Sequence, residues 1–277
     1  MTLLTDDSVP ATHLAREVEA RGFSSLFFAE HTHIPSSRRD PWPGGPQLPD
    51  DYRRLLDPLL SLTAAATSTE RIRLGTGVCL VAQHDPIVLA KQVATLDVIS
   101  AGRVTLGIGI GWNTEEAANH GLDPKRRRAV LRENVLAMTQ LWTMEEAEFG
   151  GEHVSFSPSW AWPKPVQTPH PPLILGGAGG PITWKHVIEY CDGWMPIVGT
   201  TDIAAKRVEL HAAAEAAGRD PTSLHIGAYG GRGDPASLAQ YADAGVDEVL
   251  LPIPSQGERA FDVLDRHAKA VEQWSAG

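Results

Sequence analysis

Arg103-Val-Thr-Leu-Gly-Ile-Gly-Ile-Gly-Trp-Asn-Thr-Glu-Glu116 is a β-prone run that closes on glycine at every second position. Along a strand that period leaves one face bare of side chains. Backbone without Cβ atoms lets a large flat group lie directly against it. The pattern fits either a tightly packed strand end or a bound ring, and its surroundings bear on the choice.

Working outward, short β-branched or apolar runs lie at 2–5, 24–29, 72–81, 104–110, 173–175, 193–197, 224–228 and 248–251. They alternate with helical patterns at about 10–21, 57–68, 86–100, 126–143, 181–191, 202–217, 235–244 and 257–273. Eight strand-then-helix units in a chain of 277 residues, 42% of them apolar, predict an α/β fold: a parallel (β/α)8 TIM barrel read as one domain over 1–277. Asp57-Pro58, Asp85-Pro86 and Asp234-Pro235 each place an acceptor at the N-cap and proline in the first turn. Ser255 and Glu258 read as a capping box, and Gly22 and Gly218 as helix C-terminal stops. The first strand is short enough to leave that part of the wall incomplete.

Two segments exceed ordinary connectors. The one after the second strand, 32–56, is rich in Pro, Gly and Arg and carries Trp42 and Tyr52; the one before the fifth, 144–172, carries Trp160 and Trp162. Both are expected to act as lids at the barrel mouth.

A net charge of −10, from 24 basic and 34 acidic residues, argues against a nucleic-acid partner. No apolar run approaches the roughly 20 residues of a membrane span, and no signal-peptide pattern opens the chain. Cys79 and Cys191 have neither metal-like nor redox-like spacing, which fits a reducing cytoplasm.

The chemistry concentrates at strand ends. Glu30-His31 closes the second strand, where side chains face the mouth of a barrel and a histidine exchanges protons near neutral pH. His31-Thr32-His33 also has the look of a metal pair, but the other strand ends supply no further ligands, so no metal is expected. In Leu74-Gly-Thr-Gly-Val-Cys-Leu-Val81 the glycines permit a bulge that brings Gly77, Val78 and Cys79 towards the mouth. Gly176, Gly177, Ala178, Gly179 and Gly180 precede a helix, where free backbone N–H groups suit a phosphate. Gly109, Gly111 and Trp112 would flank the ring. No serine sits in a nucleophile elbow.

The run His84-Asp-Pro-Ile-Val-Leu-Ala-Lys-Gln-Val-Ala-Thr-Leu-Asp-Val-Ile-Ser-Ala-Gly-Arg103, followed by Gly107-Ile-Gly-Ile-Gly-Trp112, resembles the bacterial luciferase-like superfamily. Glu30-His31, the Trp/Pro-rich loops and Pro163-Lys-Pro-Val-Gln-Thr-Pro-His-Pro-Pro172 are most similar to its coenzyme F420-dependent branch from actinobacteria. The resemblance covers nearly the whole chain. It implies a flavin or deazaflavin at the C-terminal face of the barrel, with Glu30 on the ring and His31 as proton donor or acceptor. It also implies a non-proline cis peptide at Gly77–Val78, the cofactor phosphate on the 176–180 loop, and a homodimer. The sequence departs from some relatives, which have arginine at the place of His84. The sugar-phosphate dehydrogenases of the branch carry an acid where Trp112 stands, which argues against such a substrate; Glu115 is the nearest acid and a candidate catalytic group. Trp42, Tyr52 and Trp112 would shape an apolar pocket for a small-molecule substrate. The expected activity is F420-dependent hydride transfer. The alternatives are an FMN-dependent monooxygenase on the same fold and a non-catalytic flavin-binding protein.

Overall fold

The computed structural model describes residues 1–37 and 39–275; the side chain of Glu258, expected in the capping box, lies outside what is described. Seven parallel strands form one sheet in the order β1 (Ser25–Phe28), β2 (Arg73–Thr76), β3 (Val104–Ile108), β6 (Leu173–Gly176), β7 (Gly193–Met195), β8 (His225–Tyr229) and β9 (Glu248–Leu250). The expected eighth strand at 2–5 is reduced to bridges: Thr2 pairs parallel with Phe28, and Thr5 pairs with Leu55. Met1 accepts from the Ile253 N–H at 3.0 Å and donates to the Leu251 carbonyl at 2.8 Å, so this segment links β1 to β9 and nearly closes the barrel.

Helices α1 (Ala11–Ala20), α2 (Pro58–Ala66), α3 (Pro86–Ile99), α5 (Arg127–Thr143), α6 (Pro181–Tyr190), α7 (Ile203–Ala216), α8 (Pro235–Asp243) and α9 (Gly257–Ser275) follow the expected pattern, with α4 (Thr114–Asn119) an unforeseen addition. The cap chemistry explains the starts. Asp57 accepts from Leu60 N, Asp85 from Ile87 and Val88 N, and Asp234 from Ser237 N, all within 3.0 Å. Each such cap is worth about 1 kcal/mol. Gly22 and Gly218 both have positive φ beyond their helices.

Leu62, Leu74, Leu89, Val93, Leu106 and Ile108 belong to the large core between sheet and helices. Inside the barrel a smaller cluster of Phe27, Ile174, Met195 and Leu250 packs with Val78 and Tyr229. That inner plug is the floor on which a site can rest.

The strand expected over 72–81 leaves the sheet after Thr76. The Gly77–Val78 peptide is cis, as the resemblance implied, and the chain rejoins β3 where Cys79 N–H donates to Gly107 O at 2.7 Å and Gly109 N–H to Cys79 O at 3.0 Å. The 144–172 segment is not a bare loop. It holds the hairpin β4 (Ala147–Gly150) and β5 (Ser155–Ser159), whose turn hangs on the Glu133 carboxylate through the N–H groups of Glu152, His153 and Val154. The segment is anchored along α3: buried Asp97 accepts from Val166 and Gln167 N–H, and Lys91 bonds Trp162 O. Trp160 and Trp162 are exposed, Trp160 beside Ala90 and Lys91 of α3, and neither lines the cavity at the strand ends.

Candidate active site

A cavity of about 280 Å³ opens at the C-terminal ends of the strands. It brings together Glu30, His31, Tyr52, Gly77, Val78, Gly109, Gly111, Trp112, Gly176 and Gly177 from the expected set, with Met195 and Tyr229 added from the inner plug. These groups come from the β1 exit and the turn at 50–54, the β2 exit, the β3 exit, β6 and its exit, β7 and β8, which is why no single stretch of sequence displays them.

The glycines of the opening motif act indirectly. A Cβ on Gly107 would stand 2.1 Å from the Thr76 carbonyl oxygen, and one on Gly109 would stand 2.6 Å from Val78 Cγ2. Their absence lets the β2 exit press against β3 and turns Val78 into the cavity. Gly177 differs: its φ is 145° and no atom lies within 4 Å of where its Cβ would be, so the backbone there is open to a ligand. The Trp194 indole N–H holds this turn from beneath by donating to Gly177 O at 2.8 Å.

His31 is nearly buried and gripped on both ring nitrogens. Nδ1 lies 2.6 Å from Glu116 Oε2, and the Trp112 indole N–H donates to Nε2 at 3.1 Å. An indole nitrogen only donates, so Nε2 carries a lone pair and Nδ1 carries the proton given to Glu116. Glu116 is wholly buried, and its other oxygen accepts from the Thr32 N–H at 3.0 Å. The sequence offered one cue for this carboxylate: Asn113 as N-cap. Its side chain accepts from Glu115 and Glu116 N–H and starts α4, so Glu116 falls in the first turn facing inward.

Several expected site residues stand elsewhere. Glu115 faces the loop after β1, where it accepts from Arg39 N–H at 2.6 Å and from Arg39 Nε at 3.0 Å. Beside it Asp40 accepts from Thr114 N–H at 2.6 Å, so the pair clips that loop to α4. Cys79 is fully buried and points its thiol at Glu30, not at the cavity. Ala178, Gly179 and Gly180 form the turn into α6 beyond the lining. Trp42 packs edge-on against Tyr52 and leaves the wall to Pro43.

Glu30 is committed as well. One oxygen accepts from Leu80 N–H at 2.5 Å and the other lies 2.7 Å from His84 Nε2. Burial alone pushes its carboxyl up, but the His84, Leu80 and Cys79 donors outweigh burial and hold it below its ordinary 4.5. Burial likewise pulls His84 down, and the Glu30 carboxylate more than offsets this, leaving it above its ordinary 6.5. Glu30, Cys79 and His84 do place three ligand-type atoms within 4.8 Å of one another, but both carboxylate oxygens already face hydrogen donors.

This ion pair sets a pH window. The depressed carboxylate contributes stability that is present above pH 4.5 and lost as pH falls through its folded value. The raised imidazolium contributes stability that is complete below pH 6.5 and lost as pH rises through its folded value. The pair therefore stabilises the end of β1 most between pH 4.5 and 6.5. The deficit of a His84→Gln variant in urea midpoint is expected to shrink as pH rises above that window. A deficit that stays constant into the alkaline range would show that His84 is not charged in the folded protein.

Among the described residues no helix is long and apolar enough to cross a membrane. A family model described as luciferase-like monooxygenase matches residues 8–231. An uncharacterized protein of Mycobacterium tuberculosis (strain H37Rv) is 46% identical over 260 residues, covering 92% of each chain. The F420-dependent hydroxymycolic acid dehydrogenase of the same organism is 28% identical over 273 residues, covering 95% of this chain and 71% of its own. Among solved structures, the monooxygenase RslO1 from Streptomyces bottropensis superimposes with a TM-score of 0.78 at 20% identity, covering 99% of this chain and 98% of its own.

Proposed function

This chain belongs to the luciferase-like monooxygenase family and is an oxidoreductase, and on that premise we propose that it binds coenzyme F420 and uses it to interconvert an alcohol and a carbonyl compound. The observation that carries this reading is the Glu116–His31–Trp112 arrangement in the wall of a glycine-lined cavity. A deazaflavin supplies hydride transfer at C5 and does not readily support oxygen chemistry.

The cavity suits a flat ring. Val78, Gly109, Gly176 and Gly177 give it a wall with few side chains, and the open Gly177 backbone lies beside the N-terminus of α6, the natural place for a phosphate. His31 moves the proton. Its Nε2 lone pair takes a hydroxyl proton on oxidation and returns it to the oxygen on reduction, while Glu116 balances the charge that forms on the imidazole. The substrate hydroxyl competes with the Trp112 indole for that lone pair. Tyr52 and Tyr229 are both driven towards the neutral phenol by burial, so these two rings add no charge against an apolar substrate, and the Glu30 carboxylate in the same wall is taken up by His84 and the Leu80 N–H.

The nearest alternative is an FMN-dependent monooxygenase, which the family description and the likeness to RslO1 favour. Fluorescence titration with oxidised F420 and with FMN, side by side, separates the two. Tight F420 and weak FMN binding is expected; the opposite preference would overturn the F420 reading. The same titration tests the phosphate end. Gly177→Ala carries the backbone strain of a side chain at positive φ, and Gly177→Asp adds a charge. The aspartate variant is expected to bind F420 about tenfold more weakly than the alanine variant, the factor that 1.4 kcal/mol of repulsion carries. Equal affinities would place the phosphate elsewhere.

A further inference from the structure

A second cavity, of about 420 Å³, adjoins the first, and Tyr52 and Tyr229 line both. Its other walls include Leu3, Pro49, Pro252, Ile253, Pro254 and Val263, with Asp51, Ser255 and Arg259 on the polar part of the lining. Asp51 accepts from the Ser255 hydroxyl at 3.0 Å, which ties the turn after β1 to the segment after β9 and closes that side. The prolines make the walls stiff.

Resting on the F420 reading above, we propose that this second cavity is the substrate's subsite, holding the apolar chain of an elongated secondary alcohol or ketone whose reacting carbon passes between Tyr52 and Tyr229 to reach His31. Two observations carry it. The ring cavity, at about 280 Å³, falls just below the usual range of ligand sites, about 300–1,000 Å³, so a bound tricyclic ring leaves little of it for a substrate. The strand order then places the second cavity. The Gly-rich turn follows β6, three strands from β1 in one direction and three from β9 in the other. The second cavity lies on the β1–β9 side, across the mouth from where the cofactor's phosphate end would sit, so it is not the cofactor's own tail groove. Its lining is chiefly aliphatic and proline with aromatic edges, a surface that rewards each buried methylene and gives a polar sugar few partners.

The test compares 2-butanone, 2-hexanone and 2-octanone by isothermal titration into the protein without cofactor, so that its outcome does not depend on turnover. Affinity is expected to rise by up to about fourfold per methylene. Val263→Trp, which fills the cavity from α9, is expected to remove that gain and leave F420 affinity as it was. Steady-state assays with F420 and the matching alcohols should show the same length dependence in kcat/KM, and the same loss of it in the variant. Affinity that does not change with chain length, or a gain that survives Val263→Trp, would overturn the subsite. Should that variant not fold, Leu3→Trp fills the same space from the opposite wall and must give the same result. If the ketone series behaves as expected but F420 does not bind, the subsite stands and the cofactor reading falls.

Discussion

Replacing His31 by alanine is expected to lower F420-linked turnover by about 10²–10⁴-fold, the usual contribution of a positioned acid or base, while the affinity for F420 changes little. The expectation rests on what the side chain touches. Both ring nitrogens are engaged by protein groups, one by the buried Glu116 and the other by Trp112, so the imidazole is placed for proton exchange and not for holding a ligand by its edge. Its removal leaves a hole bordered by Tyr52 and Trp112, whose rings lie 5.5 and 5.6 Å from the imidazole centroid and remain as the cavity wall. Steady-state kinetics alongside F420 titration checks both halves of the statement. A variant that turns over at the wild-type rate would remove His31 from catalysis. One that instead loses the cofactor would make it a binding residue.

What the sequence disclosed and what it hid divide along a physical line. Signals carried by neighbours in the chain were legible. Asp57, Asp85 and Asp234 cap their helices within three residues of themselves, and the alternation of strand and helix needs no long-range information. The place of Glu30-His31 at a strand end follows from the strand pattern, whereas the cis peptide at Gly77–Val78 is implied by the resemblance alone. The directions taken by adjacent residues are harder to read. Glu30 and His31 are neighbours at a strand end, where successive side chains leave in opposite directions; one turns to His84 and the other to Glu116. Glu115 and Glu116 are separated by one position on a helix, about 100° of rotation, and that rotation sends one to Arg39 and the other to His31. Because α4 has only six residues, no hydrophobic period announced it. The glycine run was recognised as unusual, yet its reason lay on the neighbouring strand: Thr76 and Val78 need the space. Tyr229 and Met195 were invisible because an inward position on β7 or β8 becomes part of the site only once the barrel is nearly closed.

Glu116→Gln is expected to reduce turnover nearly as far as loss of His31 itself, although the substitution alters neither size nor shape. The wild-type carboxylate accepts at both oxygens, one from the Thr32 N–H at 3.0 Å and the Thr32 hydroxyl at 3.4 Å, the other from His31 Nδ1 at 2.6 Å. An amide can accept at only one of these places. The Thr32 N–H has no alternative to donating, whereas the histidine can shift its proton, so the amide oxygen turns to Thr32 and the amide N–H₂ faces Nδ1. That forces the proton onto Nε2, where it meets the Trp112 indole N–H, a donor against a donor. The lone pair that should receive the substrate proton is gone, and the imidazolium no longer has a charge beside it. Glu116 is thus a positioning residue, and it is separable from a structural one by its readout. The expected loss of about 10²–10⁴-fold falls on kcat, the pH profile of kcat/KM changes shape, and F420 affinity stays near wild type. A variant that unfolds more easily but keeps the wild-type kcat and pH profile would show that Glu116 only braces the fold, and that His31 finds its tautomer without help.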